Sequence, residues 1–325
     1  MTRRWLAIAL LGAVVALSAV PVILAPAAAA ATGTTAGPTS VQHALDEAVA
    51  EAADSHDVTT YAAVIDRKTG KVVAQTANSE TQVASESLVK TILAAYYLVE
   101  YNGTLPADMS TALHSMIVKS DDPTATAYWT NKAVPTIAAR YGLTTIQLAD
   151  PEPGHWGSTR VSALGLATFL YKMSKDPVVG PWLLEAMGDV SDSGSDGFDQ
   201  DFGFNAIQGA ASKQGWGSGA DEWGELAGHP CIHSIGLTSR YAATVLQTAP
   251  PGTYRSMRSD ATNTVKLILS AAPPADSAVS APITTQVTQT GATNTLYPAK
   301  ATDGATPGNP NSAIFTGWWD ETLTF

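Results

Sequence analysis

The segment 88–101 constrains the fold of this chain more than any other feature, because nearly all of its residues are apolar. Leu, Val, Ile, Ala and Tyr follow one another with almost no interruption, over a length typical of a helix. A helix that is apolar on all sides is stable only when other elements cover every side of it. The segment therefore predicts a buried central helix.

Ser87 and Lys90 stand three residues apart at the start of this helix. Side chains at positions i and i+3 share one helix face, with Cβ atoms about 5–6 Å apart. The lysine could deprotonate the serine if burial and nearby positive charge leave it as a neutral amine. A Ser-x-x-Lys pair is expected about once by chance in a chain of 325 residues. The alternative explanation is that the pair has no catalytic role: the serine caps the helix and the lysine is solvated.

The first 31 residues have the order of a secretory signal peptide. Arg3 and Arg4 precede an apolar stretch over 5–24, and an alanine-rich segment follows. We therefore expect a secreted protein, with association with the cell envelope as the second location. The apolar stretch is also long enough to span a membrane, so membrane contact is expected only if the leader stays uncleaved. Residues 32–40 are rich in Gly, Thr and Pro and predict a linker.

Composition excludes some classes of function and bounds the size of the core. The formal net charge is −11 and no basic cluster lies outside the leader, so nucleic acid is not an expected partner. Cys231 is the single cysteine and cannot form an internal disulfide. Removal of the leader leaves roughly 295 residues, enough for one large core or two closely packed lobes.

Residues 41–272 show helical and strand patterns in an order that predicts an α+β fold. Strands are predicted at 59–65, 71–75, 206–209, 231–235 and 241–247, and helices near 41–49, 88–101, 109–119, 124–131, 134–141, 161–173, 180–187 and 256–270. This order indicates an antiparallel sheet completed by both ends of the domain, with an all-helical insertion. Residues 273–325 predict a low-complexity C-terminal extension.

Two short motifs follow the serine–lysine pair along the chain. Ser120-Asp121-Asp122 comes just past a predicted helix, where a serine could relay a proton; its structural interpretation is a helix start. Lys213-Gln214-Gly215-Trp216 comes after the predicted strand 206–209. The lysine would bring positive charge to a substrate anion, and the glycine would let the substrate backbone approach closely. Its structural interpretation is a surface lysine on a strand.

The three motifs in this order resemble Ser-x-x-Lys, Ser-Asp-Asn and Lys-Thr-Gly of the penicillin-recognising serine enzymes, the class A β-lactamases and D,D-peptidases. The resemblance spans roughly residues 41–270. It implies a β-lactamase/transpeptidase-like fold, with terminal helices flanking an antiparallel sheet and an all-helical subdomain. It also implies a hydrolase that forms an acyl-serine intermediate with an amide or ester and needs no cofactor or metal. The expected substrate is a small molecule or a peptide, and the candidates are a cell-wall peptide of peptidoglycan and a β-lactam-like compound.

The same resemblance implies a role for each motif residue. Ser87 is the nucleophile, and Lys90 is the base or proton relay beside it. Ser120 passes a proton to the leaving nitrogen, and Lys213 holds positive charge on the substrate-facing strand. The backbone N–H groups of Ser87 and Trp216 form the oxyanion hole. The substrate-binding residues are Asp122, Gln214, Gly215 and Trp216.

Three departures from the family pattern limit what this site is expected to do. Asp122 replaces an asparagine whose amide binds substrate, and Gln214 replaces a hydroxyl residue that meets the substrate carboxylate. Glu152 is the local candidate for the deacylation base, but position 156 is Trp where class A β-lactamases carry Asn. Efficient β-lactam hydrolysis is therefore not expected.

Two other functions remain open at this stage. The chain could be a catalytically silent wall-binding or interaction protein on the same scaffold, or a Ser-Lys esterase. His229, Cys231 and His233 alternate and would share a strand face, as metal ligands do, but strand packing is the favoured interpretation because structural zinc needs four ligands. The tripeptide 68–70 spells Lys-Thr-Gly, but it precedes Ser87 and is interpreted as a turn.

Overall fold

The computed structural model describes residues 40–150, 154–251 and 254–271. All of them belong to the unit Pro38–Phe325, the second of two units of the chain, and the first unit, Met1–Gly37, lies outside them. The predicted signal peptide, the predicted linker up to residue 39 and the predicted extension from residue 273 also lie outside the described residues. No helix in the described ranges has the length and hydrophobicity to cross a membrane.

An antiparallel sheet of five strands forms the centre of the fold, in the order β2-β1-β7-β6-β5. A small second sheet pairs β3 with β4. The strands are β1 (Thr59–Asp66), β2 (Val72–Gln75), β3 (Val83–Ala84), β4 (Arg160–Val161), β5 (Ala211–Gly217), β6 (Cys231–Leu237) and β7 (Tyr241–Thr248). Because β1 and β7 pair along their full length, from Thr59 opposite Thr248 to Asp66 opposite Tyr241, both ends of the domain complete the sheet as predicted.

Helices cover the sheet on both faces. They are α1 (Val41–His56), α2 (Val89–Glu100), α3 (Ala107–Val118), α4 (Asp122–Tyr128), α5 (Ala133–Tyr141), α6 (Ala163–Met173), α7 (Gly180–Gly188) and α8 (Tyr254–Ser270). The terminal helices α1 and α8 pack on each other and on one face of the sheet, and α6 packs against β1 and β7 on the other. This architecture confirms the predicted α+β class.

The predicted central helix is α2, which follows a short 3₁₀ turn over Glu86–Leu88. Every residue from Val89 to Tyr96 is buried, as the apolar sequence requires. The helix lies in a core shared with α3, α5, α6 and α7. The 3₁₀ turn and the first turn of α2 thus hold Ser87 and Lys90 at the junction between the helical region and the sheet.

The tripeptide Lys-Thr-Gly at 68–70 forms the turn between β1 and β2, as predicted. Asp66 Oδ1 accepts hydrogen bonds from the backbone N–H of Thr69 at 2.7 Å and from its hydroxyl at 2.8 Å. Gly70 has φ 71°, a left-handed conformation that favours glycine. The tripeptide therefore forms and stabilises a turn.

The predicted strand at 206–209 is wrong. Backbone bonds from Ile207 to Phe204 and from Ala210 to Ile207 form turns there, and Gly209 has φ 78°. The strand begins two residues later as β5 and contains Lys213 itself. Its sequence, Ala-Ser-Lys-Gln-Gly-Trp-Gly, is polar and glycine-rich, so it lacks the apolar alternation by which strands are recognised.

Candidate active site

Ser87 lies in the 3₁₀ turn that precedes α2, and the turn is fixed from both sides. Ser85 N donates to Thr159 O at 2.8 Å and Glu86 N donates to Gly157 O at 2.9 Å. Glu86 has φ 47°, an uncommon conformation for a residue with a side chain, which costs about 1 kcal/mol or more. The surrounding contacts hold this bend and thereby fix the direction of the Ser87 side chain.

Lys90 lies one turn after Ser87 and is fully buried. Its Nζ is 2.9 Å from Ser87 Oγ, 2.8 Å from Ser120 O and 3.3 Å from Ser120 Oγ. Asp122 Oδ1 is 2.5 Å from the same nitrogen. The i, i+3 spacing thus brings Ser87 and Lys90 into direct contact, and Ser120 and Asp122 meet them there.

Ser120 connects the helical region to the sheet. It lies between α3 and α4 with φ 53°, so its carbonyl and its hydroxyl both turn toward the site. Lys213 Nζ, from β5, donates to Ser120 Oγ at 3.0 Å and to Gln214 O at 2.7 Å. The residues Lys90, Ser120, Asp122 and Lys213, called the lysine cluster below, therefore surround the nucleophile as one hydrogen-bonded group.

Charge is not evenly matched within the lysine cluster. Burial lowers the pKa of Lys213 well below its usual value, and the nearby charge of Lys90 lowers it further. In the described ranges Lys213 has no carboxylate within ion-pair distance, whereas Lys90 forms an ion pair with Asp122. The Asp122 side chain keeps 26% exposure while Ser87 keeps 6%, so Asp122 is the member most open to a solute.

The other predicted site residues of β5 are Gln214, Gly215 and Trp216, and each makes different contacts from those of Lys213. A Cβ at Gly215 would come within 3.2 Å of Ser85 O, so this glycine allows the strand to pack on the nucleophile turn. Gln214 is fully buried and its amide donates to Ser212 Oγ at 3.2 Å, on the strand side opposite Lys213. Trp216 stacks on Phe198, with ring centroids 4.4 Å apart.

Glu152, the predicted deacylation base, lies outside the described residues. Trp156, four residues later, is nearly buried, and Lys90 Nζ lies 4.6 Å from its ring centroid. Its indole N–H donates to Thr126 Oγ1 at 3.2 Å, which fixes the ring over the lysine. A cation over an aromatic face is stabilised by the charge distribution of the ring.

A group of three buried carboxyls lies on the other side of Ser87 and was not predicted. Glu86, Asp221 and Glu222, called the carboxyl cluster below, are each at most 5% exposed. Arg160 donates to Glu222 Oε2 at 2.8 Å and Ser158 donates to Asp221 Oδ1 at 2.9 Å. No short-range pattern could reveal this group, because its members come from distant parts of the chain.

Burial raises the pKa of Glu86 well above its usual range, and the charges of Asp221 and Glu222 raise it further. Burial also raises the pKa values of Asp221 and Glu222, while hydrogen bonds, from Ser158 and Ala84 respectively, act in the opposite direction. Glu86 hydrogen-bonds with Asp221. We infer that Glu86 is protonated at neutral pH, because one guanidinium cannot balance three buried negative charges.

His233 is a core residue of β6. Its Nε2 lies 3.1 Å from Ala84 O, and Gln247 N donates to its Nδ1 at 3.2 Å. The two bonds fix the tautomer that carries its proton on Nε2. Burial lowers the pKa of His233 to about 4, so the ring is neutral near pH 7. Among the described residues, no three His, Cys, Asp or Glu side chains form a group that could hold a metal ion.

Comparisons with known proteins agree with this architecture. A class A β-lactamase from Bacteroides cellulosilyticus DSM 14838 superposes with a TM-score of 0.54 at 12% identity, over 70% of this chain and 97% of that one. A class A β-lactamase from Mycobacterium abscessus gives 0.53 at 12% identity, over 70% and 98%. No family model and no curated protein matches the sequence.

The fold is therefore that of the class A β-lactamases, a hydrolase fold with an antiparallel sheet and a helical region. At 12% identity the similarity shows the fold alone. The reaction depends on the residues of the site. Those residues are the serine at the head of α2 and the two clusters that flank it.

Proposed function

We propose that this protein is an exported serine hydrolase that forms an acyl-Ser87 intermediate with an amide or an ester, with a cell-wall peptide as the natural substrate. The contact of Lys90 Nζ with both Ser87 Oγ, at 2.9 Å, and Ser120 Oγ, at 3.3 Å, supports this above all else. A proton can then pass from the nucleophile to the leaving group within one cluster. Export is proposed from the predicted signal peptide.

The acylation step uses Ser87 together with Lys90, Ser120 and Asp122 of the lysine cluster. Ser87 Oγ attacks the carbonyl carbon while its proton passes to Lys90 Nζ. The bond from that carbon to the leaving nitrogen or oxygen breaks, and the leaving atom takes a proton from Ser120, which Lys90 then restores. Lys90 accepts this proton as a free amine, and Asp122, whose Oδ1 is 2.5 Å away, pairs with the ammonium group that results.

Release of the acyl group requires water to attack the ester at Ser87. Glu152 is the proposed base for that step. The position of the Trp156 ring, over Lys90, argues against an open water site beside the lysine. We therefore expect slow deacylation, so that the acyl-enzyme accumulates.

The test is covalent labelling of the purified mature protein, in parallel with Ser87→Ala. A labelled penicillin and an activated ester serve as acyl donors, and intact-protein mass spectrometry followed by peptide mapping locates the label. We expect the activated ester to place one acyl group on Ser87 in the wild type and none in the variant. Circular dichroism of both proteins serves as the control for folding.

Three other outcomes would change the conclusion. Absence of label with every acyl donor would favour a silent wall-binding or interaction protein and reject the enzyme. Label in both proteins would place the nucleophile elsewhere. Rapid release of product from a chromogenic cephalosporin would reject slow deacylation while retaining Ser87 as nucleophile.

A further inference from the structure

We propose that Asp122 and Asp196 make this cleft select acyl donors that carry no negative charge beside the scissile bond. This inference rests on the proposed acyl-Ser87 reaction and names its substrate class: neutral esters and amides, including peptides whose terminal carboxylate is masked.

The first observation is the charge that a substrate meets next to Ser87. Asp122 is the most exposed member of the lysine cluster, and its carboxylate already neutralises Lys90 at 2.5 Å. A substrate carboxylate would have to compete with that internal carboxylate for the same ammonium group. It would also approach Asp122 itself, which repels it.

The second observation concerns the other lysine. Lys213 is fully buried, and its amine is engaged by Ser120 Oγ at 3.0 Å and by Gln214 O at 2.7 Å. Burial, then the charge of Lys90, lowers its pKa well below the usual value, and both of its contacts lie inside the protein. The Gln214 amide donates a hydrogen bond to Ser212 Oγ. Glutamine has no hydroxyl group, so this position offers none to a substrate carboxylate beside Lys213.

The third observation is a second carboxylate close to β5. Asp196 is exposed, and its Oδ2 accepts a hydrogen bond from the Trp216 indole at 3.2 Å. The ring of Trp216 lies 5.8 Å from Lys213 Nζ. Arg258, which reaches the same acidic loop, is paired with Asp199 at 2.7 Å. Asp122 and Asp196 are both close enough for their charges to act on the Lys213 amine, so an anionic substrate beside that lysine meets two carboxylates.

The expected size of this selection follows from like-charge repulsion. Two unit charges about 5 Å apart near a protein surface repel enough to change a rate by about a hundredfold. Removing one of the two carboxylates should recover about tenfold or more for an anionic donor. A neutral donor should show no such recovery.

The experiment compares two thioesters that differ by one charge. N-acetylglycyl thioesters of mercaptoacetate and of methyl mercaptoacetate share the acyl group and carry an anionic or a neutral leaving group. Acylation of the full mature protein is followed by thiol release, with Ser87→Ala as the blank. The ratio of the two rates is compared between wild type, Asp122→Asn and Asp196→Asn, so that the intrinsic reactivity of each thioester cancels.

The matched control is Asp46→Asn on α1, which makes the same change in net charge on another part of the fold. We expect the ratio of neutral to anionic rates to fall by about tenfold or more in Asp122→Asn and by a smaller factor in Asp196→Asn, and to stay unchanged in Asp46→Asn. Asp196→Asn keeps an oxygen that can accept the hydrogen bond from the Phe198 N–H. If Asp122→Asn no longer acylates, the rate ratio of Asp196→Asn tests the proposed selection.

Equal ratios in wild type and both site variants would overturn this selection while leaving acylation of Ser87 intact. A fall of the same size in Asp46→Asn would also overturn it, because the effect would then be one of net charge. Failure of every donor to acylate the wild type would overturn the proposed function itself, and the selection with it.

Discussion

The two sides of Ser87 hold buried charge in opposite ways. The lysine cluster combines two lysines with one carboxylate and one hydroxyl, joined by hydrogen bonds. The carboxyl cluster combines three acids with one guanidinium, and burial raises the pKa of Glu86 well above its usual range. Buried charges of one sign persist only when neutralised, whereas paired opposite charges can remain ionised. In the proposed function, the same serine is therefore flanked by a group that transfers protons and by a structural group.

The largest effect should come from the reactive side. Lys90→Met keeps the length and apolar stem of the side chain but removes the amine that contacts Ser87. We expect acylation of Ser87 by an activated ester to fall by about a thousandfold, measured by intact-protein mass spectrometry. Lys119→Met, an exposed lysine at the end of α3, is the control and should acylate normally. A fall of less than tenfold in Lys90→Met would contradict the assigned proton path.

On the structural side, a single methyl group should disturb the carboxyl cluster. A Cβ at Gly217 would collide with the Glu86 carboxyl, so Gly217→Ala must displace Glu86 or the strand. We expect the free energy of unfolding in urea to fall by about 1–3 kcal/mol. Gly188→Ala meets nothing within 4 Å and should change it little. Equal stability of both variants would show that the carboxyl cluster can rearrange freely.

The smallest effect is a pH dependence that distinguishes the two sides. The raised pKa of Glu86 means that the folded protein retains a proton that the unfolded chain releases above its ordinary carboxyl pKa. Stability from this group is therefore lost as pH rises, by at most about 1.4 kcal/mol per pH unit. Glu86→Gln keeps the shape without the titration, so its stability relative to wild type should increase from pH 5 to pH 8.

Urea unfolding of both proteins across this range measures the difference, and the contribution of His233 cancels because both contain it. Parallel stability curves would show that Glu86 titrates normally in the folded state. They would also remove the contrast between the two sides of Ser87.

The lysine cluster could be predicted from the sequence because its members lie in short motifs. The apolar pattern of 88–101 predicts the buried helix, and the three-residue spacing of Ser87 and Lys90 predicts their contact, which is 2.9 Å in the structure. The position of β5 could not be predicted, since its polar, glycine-rich sequence lacks strand alternation. The carboxyl cluster could not be predicted either. The Ala84 N–H donates to Glu222 across a separation of 138 residues, and only the tertiary fold creates that contact.

Ser120 has a consequence for the size of substrate that the protein can process. Its carbonyl binds a lysine from the helical region, and its hydroxyl binds a lysine from the sheet. Any movement that separates these two regions to admit a bulky molecule also breaks the path along which the proton travels. In the proposed reaction, separation of these two regions and proton transfer through Ser120 therefore cannot occur at the same time.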